Sequence, residues 1–218
     1  GGRRGGAYSA AVGYDSHAPG SNSTAIGSQS TATSNDTTSV GVSSQATAGY
    51  SSAFGVNSKA IQENSTALGF GAEARGQYST ASGSNSLASA SSSTATGYQS
   101  YATAEYATAV GKSTVASGFQ SSALGSGAWA TEDNSVALGV NSRAAATNSV
   151  ALGASSVADR QNTISVGNSD INSGAIFQRQ ITNVAAGTQA TDAVNLGQLQ
   201  NGSTDISVGN AAVGGNLS

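Results

Sequence analysis

A glycine returns every fourteen residues along most of this chain, at Gly13, Gly27, Gly41, Gly55, Gly69, Gly83, Gly97, Gly111, Gly125, Gly139, Gly153 and Gly167. An unbroken period of this length means a solenoid, because a unit so short cannot bury a face alone and must stack on its neighbours. The unit is plainest in Asn134-Ser135-Val136-Ala137-Leu138-Gly139-Val140-Asn141-Ser142 and again in Asn148-Ser149-Val150-Ala151-Leu152-Gly153-Ala154-Ser155-Ser156.

Position by position, small and large residues alternate. Two residues before each glycine stands Ala or Ser (Ala11, Ala25, Ser39, Ala53 and onward to Ser165), and four before it mostly Ser. One residue before it stand Val12, Ile26, Val40, Phe54, Leu68, Ser82, Thr96, Val110, Leu124, Leu138, Leu152 and Val166. Alternation with period two predicts a β-strand with two unlike faces. A second strand follows the glycine, with Ser mainly at the third position after it and alanine without a break at the fifth, from Ala18 to Ala158. Between these the residue type is almost unrestricted, including His17, Lys59, Glu73, Tyr101, Trp129 and Arg143, as on a solvent face.

Fourteen residues allow two strands of about four or five and two tight turns, a perimeter too small for a three-sided coil. The expected form is a flattened two-sheet roll whose interior takes only Ala, Ser and Gly. Coils stacking at roughly 4.8 Å give a rod on the order of 55 Å long. The turn before the first strand carries Asn22, Asp36, Asn64, Asn134, Asn148 and Asn162 in one position, residue types that tolerate left-handed backbone. Glycine serves the other turn, through its own freedom or through close backbone approach.

The large apolar row points away from the interior of its own roll. No charged residue between Ser9 and Gly167 falls in that row or in the row two residues before it. A single chain would show water a long apolar stripe, which monomers rarely tolerate, so the stripe is expected to be buried against other chains. At roughly 25 cal/mol per Å² a dozen such side chains supply a large association energy. Ser82 and Thr96 predict a polar layer at mid-rod, and Val136, Val150 and Ile164, replacing the Thr or Ser of earlier coils, predict drier packing toward the end.

The period lapses after Gly167, where Asp170 and Asn172 stand in place of small residues and Ile181 in place of glycine. From Ile181 to Leu199 the chain is different in kind. Thr191 reads as a helix N-cap with Asp192 in the first turn, and Ala193, Leu196 and Leu199 follow at helical intervals. The domain reading is a lead-in at 1–8, a head roll at 9–170, a neck and start of a coiled coil at 171–200, and a tail at 201–218 with no structural expectation.

Composition narrows the function classes. Charged residues make up only 9% of the chain and the net charge is −3, with no basic cluster beyond Arg3-Arg4, so no nucleic-acid or anionic-membrane partner is expected. There is no Cys and hence no disulfide or thiol chemistry. No Met is present either, from which we expect a processed or excised piece of a longer protein. No apolar stretch approaches a membrane span, and no direct membrane insertion is expected of these residues.

The repeat resembles the Asn-Ser-Val-Ala-Ile-Gly-x-x-Ser repeat of YadA-like heads in trimeric autotransporter adhesins, with Leu138 and Leu152 in the place of Ile. Ile181 to Leu199 resembles the neck of the same family. The resemblance implies an all-β fold, a left-handed parallel β-roll solenoid with 14-residue coils, trimeric, followed by a neck leading into a short C-terminal helix. It implies a homotrimer displayed on the Gram-negative outer membrane, anchored by a C-terminal barrel outside this sequence. The stripe then becomes the trimer interface, made by Val12, Ile26, Val40, Phe54, Leu68, Val110, Leu124, Val136, Leu138, Val150, Leu152, Ile164 and Val166, with Val194, Leu196 and Leu199 of the neck.

The implied function is attachment to host extracellular matrix or cells, of the collagen, fibronectin or laminin class, or to other bacteria and surfaces. In some members of the family the head repeat is associated with collagen binding. The matching positions are Asn134, Ser135, Val136, Ala137, Leu138, Gly139 and Ser142, with Asn148, Ser149, Val150, Ala151, Leu152, Gly153 and Ser156. The alternation explains those same residues as determinants of the fold. If they bind, repetition along a rod adds as avidity. Exposed aromatics are a second candidate set: Tyr101 and Trp129 first, then Tyr98, Tyr106, Phe119, Tyr50 and Tyr78. The alternative is a spacer or display segment with the ligand site elsewhere in the full-length protein.

Catalysis is not expected. Acids stand singly on varied turns with only Glu132-Asp133 adjacent, His17 is the sole histidine, and metal spacings and nucleotide-binding loops are missing, so no cofactor is expected. The row Thr66, Thr80, Thr94 and Thr108 has the form of an ice-binding ladder but shares the face of the stripe.

Overall fold

The computed structural model describes residues 1–169 and 176–201, which divide into two compact units at Gln178 and Arg179. The first unit is the expected roll. Two parallel sheets of twelve strands each run its length, and strands alternate between them in chain order. One sheet holds three-residue strands from Ala10–Val12 to Val150–Leu152 and ends on the two-residue Ile164–Ser165. The other holds two-residue strands from Arg3–Arg4 to Val157–Ala158. Register steps by one repeat at each pairing, Ala67 to Ala81 and Ala81 to Ala95, so every sequence position becomes a row along the rod.

The strands are shorter than the four or five residues expected. The reason lies in the turns. Every residue five before the glycine has a left-handed backbone, from Tyr8 at φ 57° to Asn162 at φ 57°, and so does every residue two after it, from Asp15 at 52° to Ser155 at 56°. The second of these rows was not anticipated. Its members, including Gln29, Ser43, Gln99 and Ser113, carry no common signature for such a conformation. The turns stack as strands do: Gly27 N donates to Val12 O at 2.8 Å and Gln29 N to Tyr14 O at 2.8 Å.

Glycine meets both of its expected requirements. Gly97 has φ 122°, and a Cβ there would sit 2.5 Å from the carbonyl oxygen of Gly111 in the next coil. Any side chain would therefore push neighbouring coils apart as well as strain its own backbone.

The interior is Ala and Ser as expected, except that Thr37 and Thr114 are also fully buried, so the roll admits a larger side chain than the Ala, Ser and Gly expected. Ala53, Ala67, Ala81 and their equivalents are fully buried, as are the alanines of the facing sheet such as Ala60, Ala74 and Ala88. Serine occurs inside because its hydroxyl closes its own turn: Ser30 Oγ donates to Gly27 O at 2.9 Å and Ser23 Oγ to Gly20 O at 2.6 Å. A buried hydroxyl without such a partner would cost free energy. Among the described residues the buried Oγ atoms of Ser51 and Ser121 have none.

The roll begins earlier than the sequence reading placed it. Arg3–Arg4, inside the presumed lead-in at 1–8, pairs with His17–Ala18. Half a coil without its glycine has no alternation to reveal it. The lapse at Asp170 and Asn172 and the tail beyond 201 lie outside the described residues.

In the second unit a helix spans Leu196–Asn201. Its cap is Asn195, four residues beyond Thr191. Asn195 Oδ1 accepts from Gln198 N at 2.9 Å, and Gln198 Oε1 accepts from Asn195 N at 3.2 Å, a reciprocal capping box. Asp192 instead closes the preceding turn, its Oδ2 accepting from Thr188 N and Gln189 N at 2.9 Å each.

Candidate functional site

With its interior filled by methyl and hydroxymethyl groups, the roll offers chemistry only on its two outer faces and two edges. The three-residue strands turn the apolar row outward. Val12, Leu68 and Leu138 are 60%, 51% and 43% exposed in the single chain, and Ile26, Phe54, Val110, Leu124 and Leu152 are exposed with them. Val40, Val166, Val136 and Val150 are half-buried, and Ile164 is exposed. Ser82 and Thr96 interrupt the row at the expected coils and are half-buried. The edge beside the glycines widens the apolar strip with Val42, Val56, Phe70 and Val140, residues the sequence reading did not single out. Their signal was available, since each directly follows a glycine of the repeat.

On the opposite outer face, the two-residue strands line up the variable position. Leu87, Tyr101, Val115 and Trp129 are consecutive neighbours there, in direct register across four coils. Trp129 is 49% exposed, and the other three are half-buried against one another. The same row carries charge toward the N-terminus, where Lys59 Nζ lies 3.0 Å from Glu73 Oε1 and Arg75 also pairs with Glu73. These pairs are partly exposed and contribute little to stability.

The residues singled out by the repeat motif are split by the fold. Ser135, Ala137, Ser142, Ser149, Ala151 and Ser156 are fully buried inside the coil and have no surface to offer a ligand. Gly139 stacks on Gly153 of the next coil, while Asn134 and Asn148 are exposed at the other edge, where Asn148 Nδ2 donates to Asn162 Oδ1 at 3.1 Å. Val136, Leu138, Val150 and Leu152 lie on the face of the apolar row, so they cannot both meet sister chains and remain open to a ligand. Of the candidate binding residues, Tyr101 and Trp129 share the face away from that row, two coils apart with Val115 between them.

His17 sits on the outer face of the first coil in an open hollow with Arg3, Asp15, Gln29 and Thr31. Among the described residues no three His, Cys, Asp or Glu side chains gather as a metal site would require, and no helix is long and apolar enough to cross a membrane. In the second unit Ile181, Val194 and Leu196 are exposed around an open groove that Val184 and Asn195 also line, and Leu199 is exposed on the helix. Among the described residues Asp192 has a perturbed titration: hydrogen bonds from the backbone of Thr188, then of Gln189, hold its carboxyl below the usual range.

A family profile described as the YadA head domain repeat matches residues 5–30, 32–58, 46–72, 60–86, 88–114, 116–142 and 144–169. A second, described as the coiled stalk of trimeric autotransporter adhesin, matches residues 180–217. Among solved structures, the collagen-binding domain of the Yersinia adhesin YadA is 31% identical, over 88% of this chain and 84% of that one, with a TM-score of 0.42. No curated protein matches the chain.

Proposed function

Since the chain belongs to the YadA-like trimeric autotransporter adhesins, as a head with its neck, and that family is one of adhesins rather than enzymes, we propose that it attaches a bacterial surface to extracellular ligands as a homotrimeric rod. The observation that carries this reading is the uncharged apolar row from Val12 to Leu152, exposed along one face of the single chain. Three copies packed row to row remove it from water, and a dozen coils contribute in parallel. We assign the head to 9–170, with Arg3–Arg4 added to its first coil, and the neck to 171–200, with Val194, Leu196 and Leu199 continuing the subunit contacts.

The ligand-facing surface is then the opposite sheet. Leu87, Tyr101, Val115 and Trp129 form a small apolar and aromatic patch there, of the composition that anchors protein ligands. The ligand class is matrix protein, collagen, fibronectin or laminin, or the surface of another bacterium. Three patches per rod, and many rods per cell, raise weak contacts to firm attachment. The rod stands outside the Gram-negative outer membrane, anchored by a barrel beyond these residues.

Binding of the trimer to immobilised collagen, fibronectin and laminin, with Tyr101→Ala and Trp129→Ala variants, tests the assignment. Loss of binding by at least about tenfold with unchanged mass supports the patch. Wild-type binding that both variants retain removes it, and a trimer that binds none of these ligands favours the spacer reading.

A further inference from the structure

Four of the seven tyrosines of the chain, Tyr8, Tyr50, Tyr78 and Tyr106, occupy a single row of the roll, five residues before the glycine. The row forms an edge of the rod and its backbone is left-handed, with φ 58° at Tyr50, Tyr78 and Tyr106. A bulky side chain in that conformation is an outlier, whereas Asn and Asp, which hold the same row at Asn22, Asp36, Asn64 and Asn134, bear it readily. Residues kept where the backbone disfavours them are a reason to look for a function.

Tyr50, Tyr78 and Tyr106 are separated by two coils each, with exposures of 65%, 58% and 51%. Two coils are roughly 9.6 Å, close to the disaccharide length of an extended β-1,4-linked glycan, in which alternate sugar rings present the same face. Phe119, one coil beyond, meets Tyr106 edge-on with ring centroids 5.9 Å apart and braces the end of the row. The coils between carry acceptors on the same edge: Glu63, held by Gln77 Nε2 at 3.2 Å, and Asn64, then Ser92, with Glu105 beside Tyr106. In the connecting turns of this edge from Ala48 to Asn134 the one basic residue is Arg75, and it is paired with Glu73.

We propose that this edge is a binding ladder for a neutral β-1,4-linked glycan, its tyrosine rings stacking on alternate sugars and the intervening carboxylates and amides accepting from sugar hydroxyls. Acidic polymers are disfavoured by Glu63 and Glu105. A proline-rich peptide has a similar pitch, but it lacks the donors that those acceptors require. The inference rests on the adhesin reading and names a ligand at a surface distinct from the Tyr101–Trp129 patch.

The row supplies its own control. Tyr50→Asn, Tyr78→Asn and Tyr106→Asn together remove the rings while placing a residue the turn prefers, so the variant folds. The trimer is titrated against amorphous cellulose, chitin and soluble cellohexaose, with starch as the α-linked control. We expect retention on the β-1,4-linked polymers, lost by at least about tenfold in the triple variant, with unchanged mass and an unchanged or higher melting temperature. Wild-type protein that passes through cellulose and chitin, equal retention of the triple variant, or a triple variant that instead loses a proline-rich peptide overturns the proposal. So does a fall in mass, which makes the tyrosines subunit contacts. Failure on glycans with attachment to matrix proteins intact leaves the adhesin reading standing, whereas a trimer that attaches to neither class fails that reading itself.

Discussion

In the roll, the backbone bond from Gly27 N to Val12 O recurs at Gly41, Gly55 and each later glycine of the repeat as far as Gly153, whereas between Val184 and Gln198 single side chains close the backbone. Gln198 Nε2 donates to Gly187 O at 3.0 Å while its Oε1 accepts from Gly187 N at 2.9 Å, so one amide side chain pairs like a strand. Asn195 Nδ2 donates to Val184 O at 3.0 Å. The roll thus distributes its order over many equivalent contacts, and the neck concentrates it in three polar residues. A fault in the roll is repeated against two neighbours, and a fault in the neck stays local.

The largest expected effect tests what the roll does that the neck does not, namely present one long continuous face. Leu124→Asp with Leu138→Asp places six carboxylates in the proposed trimer interface, and light scattering should then read one chain in place of three. An unchanged mass would mean that the row does not hold the chains together. Next comes Gly97→Ala, which adds a Cβ against the Gly111 carbonyl and strains a φ of 122°. We expect a loss of about 3 kcal/mol or more in urea unfolding. A loss below about 1 kcal/mol would show that coils separate more easily than their stacking suggests.

Smaller and confined to the neck is Gln198→Ala. It removes the partner of both Gly187 backbone groups and half of the capping box, about 1–2 kcal/mol locally. Faster hydrogen exchange at Gly187, with the unfolding of the roll unchanged, is the expected reading, and a shifted roll transition would break the comparison. Smallest is the acid response of Asp192. Its folded pKa lies below the ordinary carboxylate value, so its contribution is fully present above that ordinary value and fades as pH falls through the lower folded one. Thr188 and Gln189 amides should lose protection in that acid range, and Asp192→Asn should abolish the dependence.

How much of this was legible depends on how local the cause is. The small-residue rows announce themselves because each alanine meets an identical alanine one coil away, as Ala67 meets Ala81. Left-handed Asn134 and Asn148 were legible from residue type, but left-handed Gln29 and Ser113 were not, because closure of the coil imposes that conformation on whatever stands there. Thr191 followed by Asp192 is a sound local signal for a cap. Asn195 takes the position because its side chain also reaches Val184 O, a contact eleven residues away that no local pattern displays.

The binding candidates divide in the same way. Repetition made Ser135 and Ala137 conspicuous, and burial removed them from any surface. Tyr101 and Trp129 looked like scattered aromatics, yet register sets them on one face with Leu87 and Val115.

The amino-acid order alone determined the period, the Ala and Ser interior and the uncharged apolar row, because in a stacked coil every position repeats its own environment and selection for size and polarity shows as a column. Only the tertiary structure decided where the coil turns, which motif residues reach water and which side chains close the neck. Those outcomes depend on chain closure and on contacts between residues distant in sequence, which leave no periodic trace.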